Sequence, residues 1–157
     1  EIYQCDWSSD VCSSDLDREA GVLRAYLKKG GFLIVDDFKV EGWRGLPGGG
    51  WQPFEDNVQR VLPGAKFFEM RATDPIFHCF FEITTLDNFP QAYTSGKAVF
   101  RGVYEDNDPK KRMLCMINYN TDISEFWEWS PSGFKPISES NEAYQIGVNW
   151  IIYGMTR

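Results

Sequence analysis

The chain of 157 residues has one histidine, four cysteines and no apolar run near the ~18 residues that cross a bilayer. Sixteen Lys and Arg against 23 Asp and Glu give a net charge of -7. The basic clusters of a nucleic-acid or anionic-membrane binder are missing. The sole basic triplet, Lys110-Lys111-Arg112, reads as a solvated turn. These shortages exclude a nucleic-acid partner and a membrane span within the sequence given.

The string Asp6-Trp7-Ser8-Ser9-Asp10-Val11-Cys12-Ser13-Ser14-Asp15-Leu16 resembles the translation of a widely used short-read library adapter. Glu1-Ile2-Tyr3-Gln4-Cys5 fits the adapter bases and sample index ahead of it. Residues 1–16 are therefore set apart as a non-native segment expected to pack little against the rest. Residues 17–157 are expected to form a single α/β domain lacking its natural start, which leaves the compartment unknown, extracytoplasmic and membrane-associated locations included. Without the segment, four acids drop out, leaving 19 against 16 bases and a net charge of -3. Cys5 and Cys12 go with it, and Cys79 and Cys115 alone imply no disulfide framework.

From Asp17 to Lys29 the apolar positions Val22, Leu23, Tyr26 and Leu27 recur at helical spacing, with Gly30-Gly31 as the stop. Phe32-Leu33-Ile34-Val35 is a continuously apolar strand, the pattern of one covered on both faces, and Asp36-Asp37-Phe38 leaves it. The glycine-rich residues 39–50 read as a loop, Pro53 to Leu62 as an amphipathic helix and Lys66 to Met70 as a second strand. Asp74-Pro75 reads as the start of a short helix carrying Ile76-Phe77-His78-Cys79-Phe80-Phe81. Ala98 to Tyr104 and Met113 to Tyr119 read as a hairpin across Asp106-Asn107-Asp108-Pro109. A last helix, Ala143 to Thr156, is expected to bury Tyr144, Val148, Ile151, Ile152 and Met155.

Four blocks carry a resemblance: Gly30 to Phe38, Asp74-Pro75-Ile76-Phe77-His78, Asn118-Tyr119-Asn120-Thr121-Asp122 with Trp127-Glu128-Trp129, and Gly147 to Tyr153. In this order they resemble the bacterial family called domain of unknown function 4159. The resemblance implies a Rossmann-like three-layer α/β sandwich, with a mostly parallel flavodoxin-like sheet and one hairpin, related to class I glutamine amidotransferases. It also implies association with a membrane or secreted system. Asp74 stands where the family commonly has histidine, and Ser124-Glu125-Phe126 where a Gly-Asp pair is usual.

Asp36 and Asp37 are the leading candidates for ligand binding, because open parallel sheets hold ligands beyond the carboxyl ends of their strands. Adjacent side chains leave a strand on opposite sides, so one of the pair faces the crevice and the other caps the loop or pairs with a base. Asn118, Asn120 and Asp122 place three oxygen-bearing side chains on a turning backbone. Such clusters suit hard cations, yet the glycine and glutamate of a calcium loop are missing, and the same residues commonly bond their own backbone in turns. His78 is the one residue whose ordinary pKa suits general acid-base work, although its aromatic neighbours also suit a core or capping role.

Trp43, Trp51, Trp127 and Trp129, with Tyr119 and Glu128, add aromatic and polar groups to the loops around the same crevice. They suit a sugar or peptide, or simply lid the sheet end. Neither cysteine has the sharp strand-to-helix turn that an amidotransferase-like nucleophile needs. The expectation is a non-catalytic module without cofactor or bound metal, binding a protein partner or small ligand through Asp36, Asp37, His78, Asn118, Asn120, Asp122, Trp127 and Glu128. The alternative is a metal-assisted hydrolase using the strand-end carboxylates and His78.

Overall fold

A computed structural model describes residues 10–38, 50–89 and 97–157, with the backbone alone at 10–15 and Phe38. The chain runs α1 (Asp10–Lys28), β1 (Leu33–Phe38), α2 (Trp51–Val61), β2 (Phe68–Glu69), β3 (Val99–Tyr104), β4 (Met113–Tyr119), α3 (Ile123–Glu128) and α4 (Ile137–Thr156). A 3₁₀ turn at Pro75–Phe77 follows β2, opened by Pro75 where its missing N–H is no loss. The first helix begins at Asp10, seven residues ahead of the expected Asp17. Leu16 is half-buried, while the side chains of 10–15, on which the expectation of little packing bears, lie outside the described residues.

The four strands form one sheet in the order β1-β4-β3-β2. β4 is parallel to β1 and antiparallel to β3, and β3 is antiparallel to β2. This mixed sheet corrects the expected mostly parallel, flavodoxin-like one, and it lends no support to a Rossmann-like or amidotransferase-like description. The reason lies in the connections. A parallel neighbour needs a crossover of a dozen residues or more, whereas the eight-residue link between β3 and β4 can only fold the chain back on itself. The expected hairpin is present, and β2 continues the antiparallel arrangement on its outer side.

Helices cover both faces. Beneath α3, α4 and the 3₁₀ turn lie Phe77, Phe89, Phe100, Met116, Phe126 and Ile146, all buried. On the other face Val103, Cys115 and Ile117 meet Trp51 and Phe54 of α2. β4 therefore lies in the middle of the sheet, with every residue from Met113 to Asn118 buried. Each fully buried Phe or Ile contributes roughly 1.5–3 kcal/mol relative to exposure. Arginines close two helix ends: Arg112 donates to the carbonyls of Leu27 (2.8 Å) and Gly31 (2.9 Å), and Arg24 to those of Val61 (2.6 Å) and Arg60 (2.7 Å).

α4 turns the opposite way to the sequence reading. Its buried residues are Ser140, Ala143, Ile146, Asn149, Trp150 and Tyr153, while Tyr144, Val148, Ile151 and Met155 are exposed and Ile152 is half-buried. Both faces of this helix carry apolar side chains, so periodicity alone does not identify the inner one.

Candidate functional site

Val35 is paired with Ile117 in the parallel register, so Asp36 and Asn118 come next to each other at the carboxyl ends of β1 and β4. Asn118 donates its amide N–H to Asp36 Oδ1 at 2.9 Å. The same oxygen accepts the backbone N–H of Ile123 at 3.1 Å, and Oδ2 accepts that of Ser124 at 2.8 Å. Asp122, the residue before α3, accepts the Glu125 N–H at 2.9 Å and the Ser124 hydroxyl at 2.6 Å. Three of the four N–H groups that a helix leaves unpaired at its start are thus taken by two carboxylates. Burial pushes the Asp36 carboxyl above its ordinary range and the nearby charge of Asp122 adds to the rise. The bonds from Asn118, Ile123 and Ser124 pull the other way.

Asp37 takes a left-handed backbone conformation (φ 56°) in the irregular step between Val35 and Phe38, and its side chain is exposed. Asn120, also left-handed (φ 58°), donates to the Lys97 carbonyl at 3.2 Å. Asn and Asp tolerate this region better than other side-chain-bearing residues. Thr121, which the sequence reading passed over, is buried and donates to the Phe89 carbonyl at 2.9 Å. The segment after β4 therefore fastens the chain at Phe89 and again at Lys97.

Asp36, Asn118, Asn120 and Asp122 are thus gathered at one end of the sheet. The other candidates lie elsewhere. His78 has its ring nitrogens against Glu82 Oε2 (Nδ1, 2.6 Å) and the Ala72 carbonyl (Nε2), within its own loop. Both partners are acceptors, which favours the doubly protonated ring. The bond to Glu82 raises the His78 pKa most, and the Ala72 carbonyl and the charges of Glu82 and Asp74 add to it against a smaller desolvation effect. Trp127 packs on α4, with its ring 6.4 Å from Tyr144 and 5.9 Å from Trp150, and Glu128 is exposed.

The aromatic residues do not line one crevice either. Trp51 and Tyr119 meet edge to face at 5.4 Å, with the Arg101 guanidinium 3.9 Å from the centre of the Trp51 ring, on the α2 side of the sheet. Trp127 belongs to the α4 side. Trp43 lies outside the described residues. Buried Lys135 pairs with Glu125 at 3.0 Å and sits 4.7 Å from the Phe126 ring centre. Nothing in the local sequence signals the Lys135 pair, whereas Arg101 in an otherwise apolar strand is a visible irregularity.

Neither of the two described thiols is poised as a nucleophile. Burial pushes the Cys115 thiol up to about 12, and desolvation also raises that of Cys79, which donates to the Asn149 carbonyl at 3.1 Å. Asn149 is fully buried. Its amide accepts the Phe81 N–H at 2.8 Å and donates to the Phe81 carbonyl at 2.8 Å, clamping the loop after the 3₁₀ turn to α4. Among the described residues no three His, Cys, Asp or Glu side chains are grouped to hold a metal ion, and no helix is long and apolar enough to cross a membrane.

A family model described as a domain of unknown function (DUF4159) matches residues 8–155. No curated protein matches the chain.

Proposed function

We propose a function for a chain that belongs to the DUF4159 family: a non-catalytic protein-binding α/β module that pairs through α4 with a second copy of itself. The observation that carries this reading is the outer stripe of α4. Tyr144, Val148, Ile151 and Met155 follow one another at steps of four, three and four, the seam spacing of paired helices, and Ile137 lies one heptad before Tyr144. Ile137 is 75 %, Ile151 61 % and Met155 79 % exposed. Phe134 and Trp129 extend the apolar surface at the start of the helix.

Counting only their exposed parts, the seven side chains offer on the order of 100 Å² each, which approaches the ~800 Å² per partner of a standard interface. Patches of that extent on a soluble surface mark interaction sites. The fourteen residues from Ala143 to Thr156 carry no charge, so two copies meet there without like-charge repulsion. Glu139 and Glu142 both lie in the first half of α4, and an antiparallel pair keeps the two acidic halves apart. A two-fold axis makes one stripe serve both partners.

The polar residues support a non-catalytic role because Asp36, Asp122 and His78 are engaged in holding backbone. The metal-assisted hydrolase has no comparable support, since His78 and the carboxylates of Asp36 and Asp122 have separate sets of partners. Sedimentation equilibrium tests the pairing. The chain is expected to be a dimer at micromolar concentration, and Ile151→Lys a monomer with unchanged circular dichroism. A wild-type monomer, or a dimer that survives the substitution, would overturn the reading.

A further inference from the structure

A second feature of the surface lies at the end of α4, apart from the strand-end carboxylates. Between the β2 edge, the turn after it, the β3–β4 link and the end of α4 is a cavity of about 550 Å³. Three distant stretches bring cations to it: Arg71 from the turn after β2, Lys110, Lys111 and Arg112 from the hairpin link, and Arg157 after α4. The carboxylates among its walls are Glu69 and Asp74. Asp106 pairs with Lys111 at 2.6 Å. Arg112 is held by two carbonyls and so keeps its charge. Lys111 is neutralised by Asp106, with Asp108 and Glu105 of the same link also acting on it, while Arg71, Lys110 and Arg157 share the walls with two carboxylates in a chain whose net charge is -7.

The other walls are aromatic and hydroxylic. Phe68 and Tyr104 meet edge to face at 5.8 Å, and Tyr153 and Thr73 add hydroxyls. Burial, with the charges of Asp74 and Tyr153 behind it, raises the Tyr104 pKa well above that of a free phenol, so the hydroxyl stays a hydrogen-bond donor. Cations from three separate stretches suit the several oxygens of a phosphate better than the one carboxylate of a monoanion. Arginine forks and lysine heads are the donors that recognise phosphate.

We propose that this cavity binds a small organic phosphomonoester, with Arg71, Lys110 and Arg157 receiving the phosphate dianion and Phe68 and Tyr104 flanking the organic group. The site is tested apart from the α4 pairing, because its variants leave Ile151 and its neighbours untouched. Lys110 and Lys111 are exposed, as a solvated turn requires, whereas Arg112 is held by two carbonyls, and Arg71 and Arg157 join them only through the fold.

Isothermal titration with phenyl phosphate at low ionic strength, with benzoate as the matched monoanion, tests the site. Phenyl phosphate is expected to bind saturably at one site per chain, and benzoate at least tenfold more weakly. The double variant Arg71→Gln/Lys110→Gln is expected to weaken phenyl phosphate binding at least tenfold, because both side chains are exposed and their loss leaves the core intact. Lys66→Gln, an exposed cation outside the cavity walls, is expected to bind as wild type. Absence of saturable binding, equal affinity for benzoate, or an undiminished affinity in the double variant overturns the proposal. A loss in Lys66→Gln as large as in the double variant does so too, by reducing the effect to general charge.

Discussion

Asp36 on β1 and Asn118 on β4 stand side by side at the carboxyl ends of parallel strands, joined by a 2.9 Å bond from amide to carboxylate. From that position Asp36 also holds the first two N–H groups of α3, a helix belonging to the opposite end of the sequence. The carboxylate ties the strand order to the placement of α3, and through Trp127 to α4.

Asp36→Ala is therefore expected to destabilise the fold by about 2–4 kcal/mol, because it leaves two helix N–H groups and the Asn118 amide without their acceptor. Asp36→Asn, retaining one acceptor oxygen and removing a buried charge, is expected to cost about 1–2 kcal/mol. Since burial raises the Asp36 pKa, the folded state holds its proton more tightly than the unfolded one. The advantage of wild type over Asp36→Asn should accordingly shrink as pH climbs from the ordinary 3.8 to the raised value. Urea unfolding measures both effects. A residue kept for ligand binding is often neutral or stabilising on removal, so an unchanged midpoint in Asp36→Ala would return this carboxylate to the ligand role.

Asn149 makes a second prediction. Asn149→Leu is close in volume but withdraws both partners of Phe81, leaving an N–H and a carbonyl unpaired. A loss of about 2–3 kcal/mol is expected, most of it desolvation without compensation. Hydrogen exchange gives the specific signature: the Phe81 amide should lose protection beyond the global drop in stability. Retained protection at Phe81 would mean that something other than Asn149 holds the loop.

These two residues also show which parts of the molecule were legible in the sequence. The strand Leu33 to Val35, the glycine stop after α1 and the β3–β4 hairpin follow from local pattern and turn chemistry. That Asp36 and Asn118 share an end was readable too, because both leave apolar runs. Their joint partner was not, since it required Ile123–Glu128 to be a helix with its start turned towards β1. The direction of the sheet was hidden for a related reason: it depends on which strands become neighbours, not on any strand's composition. On α4 the inner face holds Ser140 and Asn149 while the outer holds Ile151 and Met155, an inversion of the usual rule that defeats periodicity. The cavity cations were unreadable because Arg71, Lys110 and Arg157 are remote along the chain.

The lone histidine allows a pH test unusually free of interference, because no other imidazole titrates in the chain. Glu82 and the Ala72 carbonyl both favour protonated His78, which raises its pKa in the folded state above the ordinary 6.5. A group raised in this way contributes its full stabilisation below the unfolded value and loses it as pH rises through the folded value. Urea midpoints followed from about pH 5.5 to about 8.5 should therefore fall for wild type and stay nearly level for His78→Ala. Glu82→Gln should remove most of the fall, because the bond to Glu82 is the largest cause of the shift. An unchanged fall in Glu82→Gln would assign the effect to the Ala72 carbonyl and Asp74 instead. A level wild-type curve would mean that folding leaves the His78 pKa unshifted, and a rising one that the folded protein keeps the ring neutral, which would reopen its place among the candidate general bases.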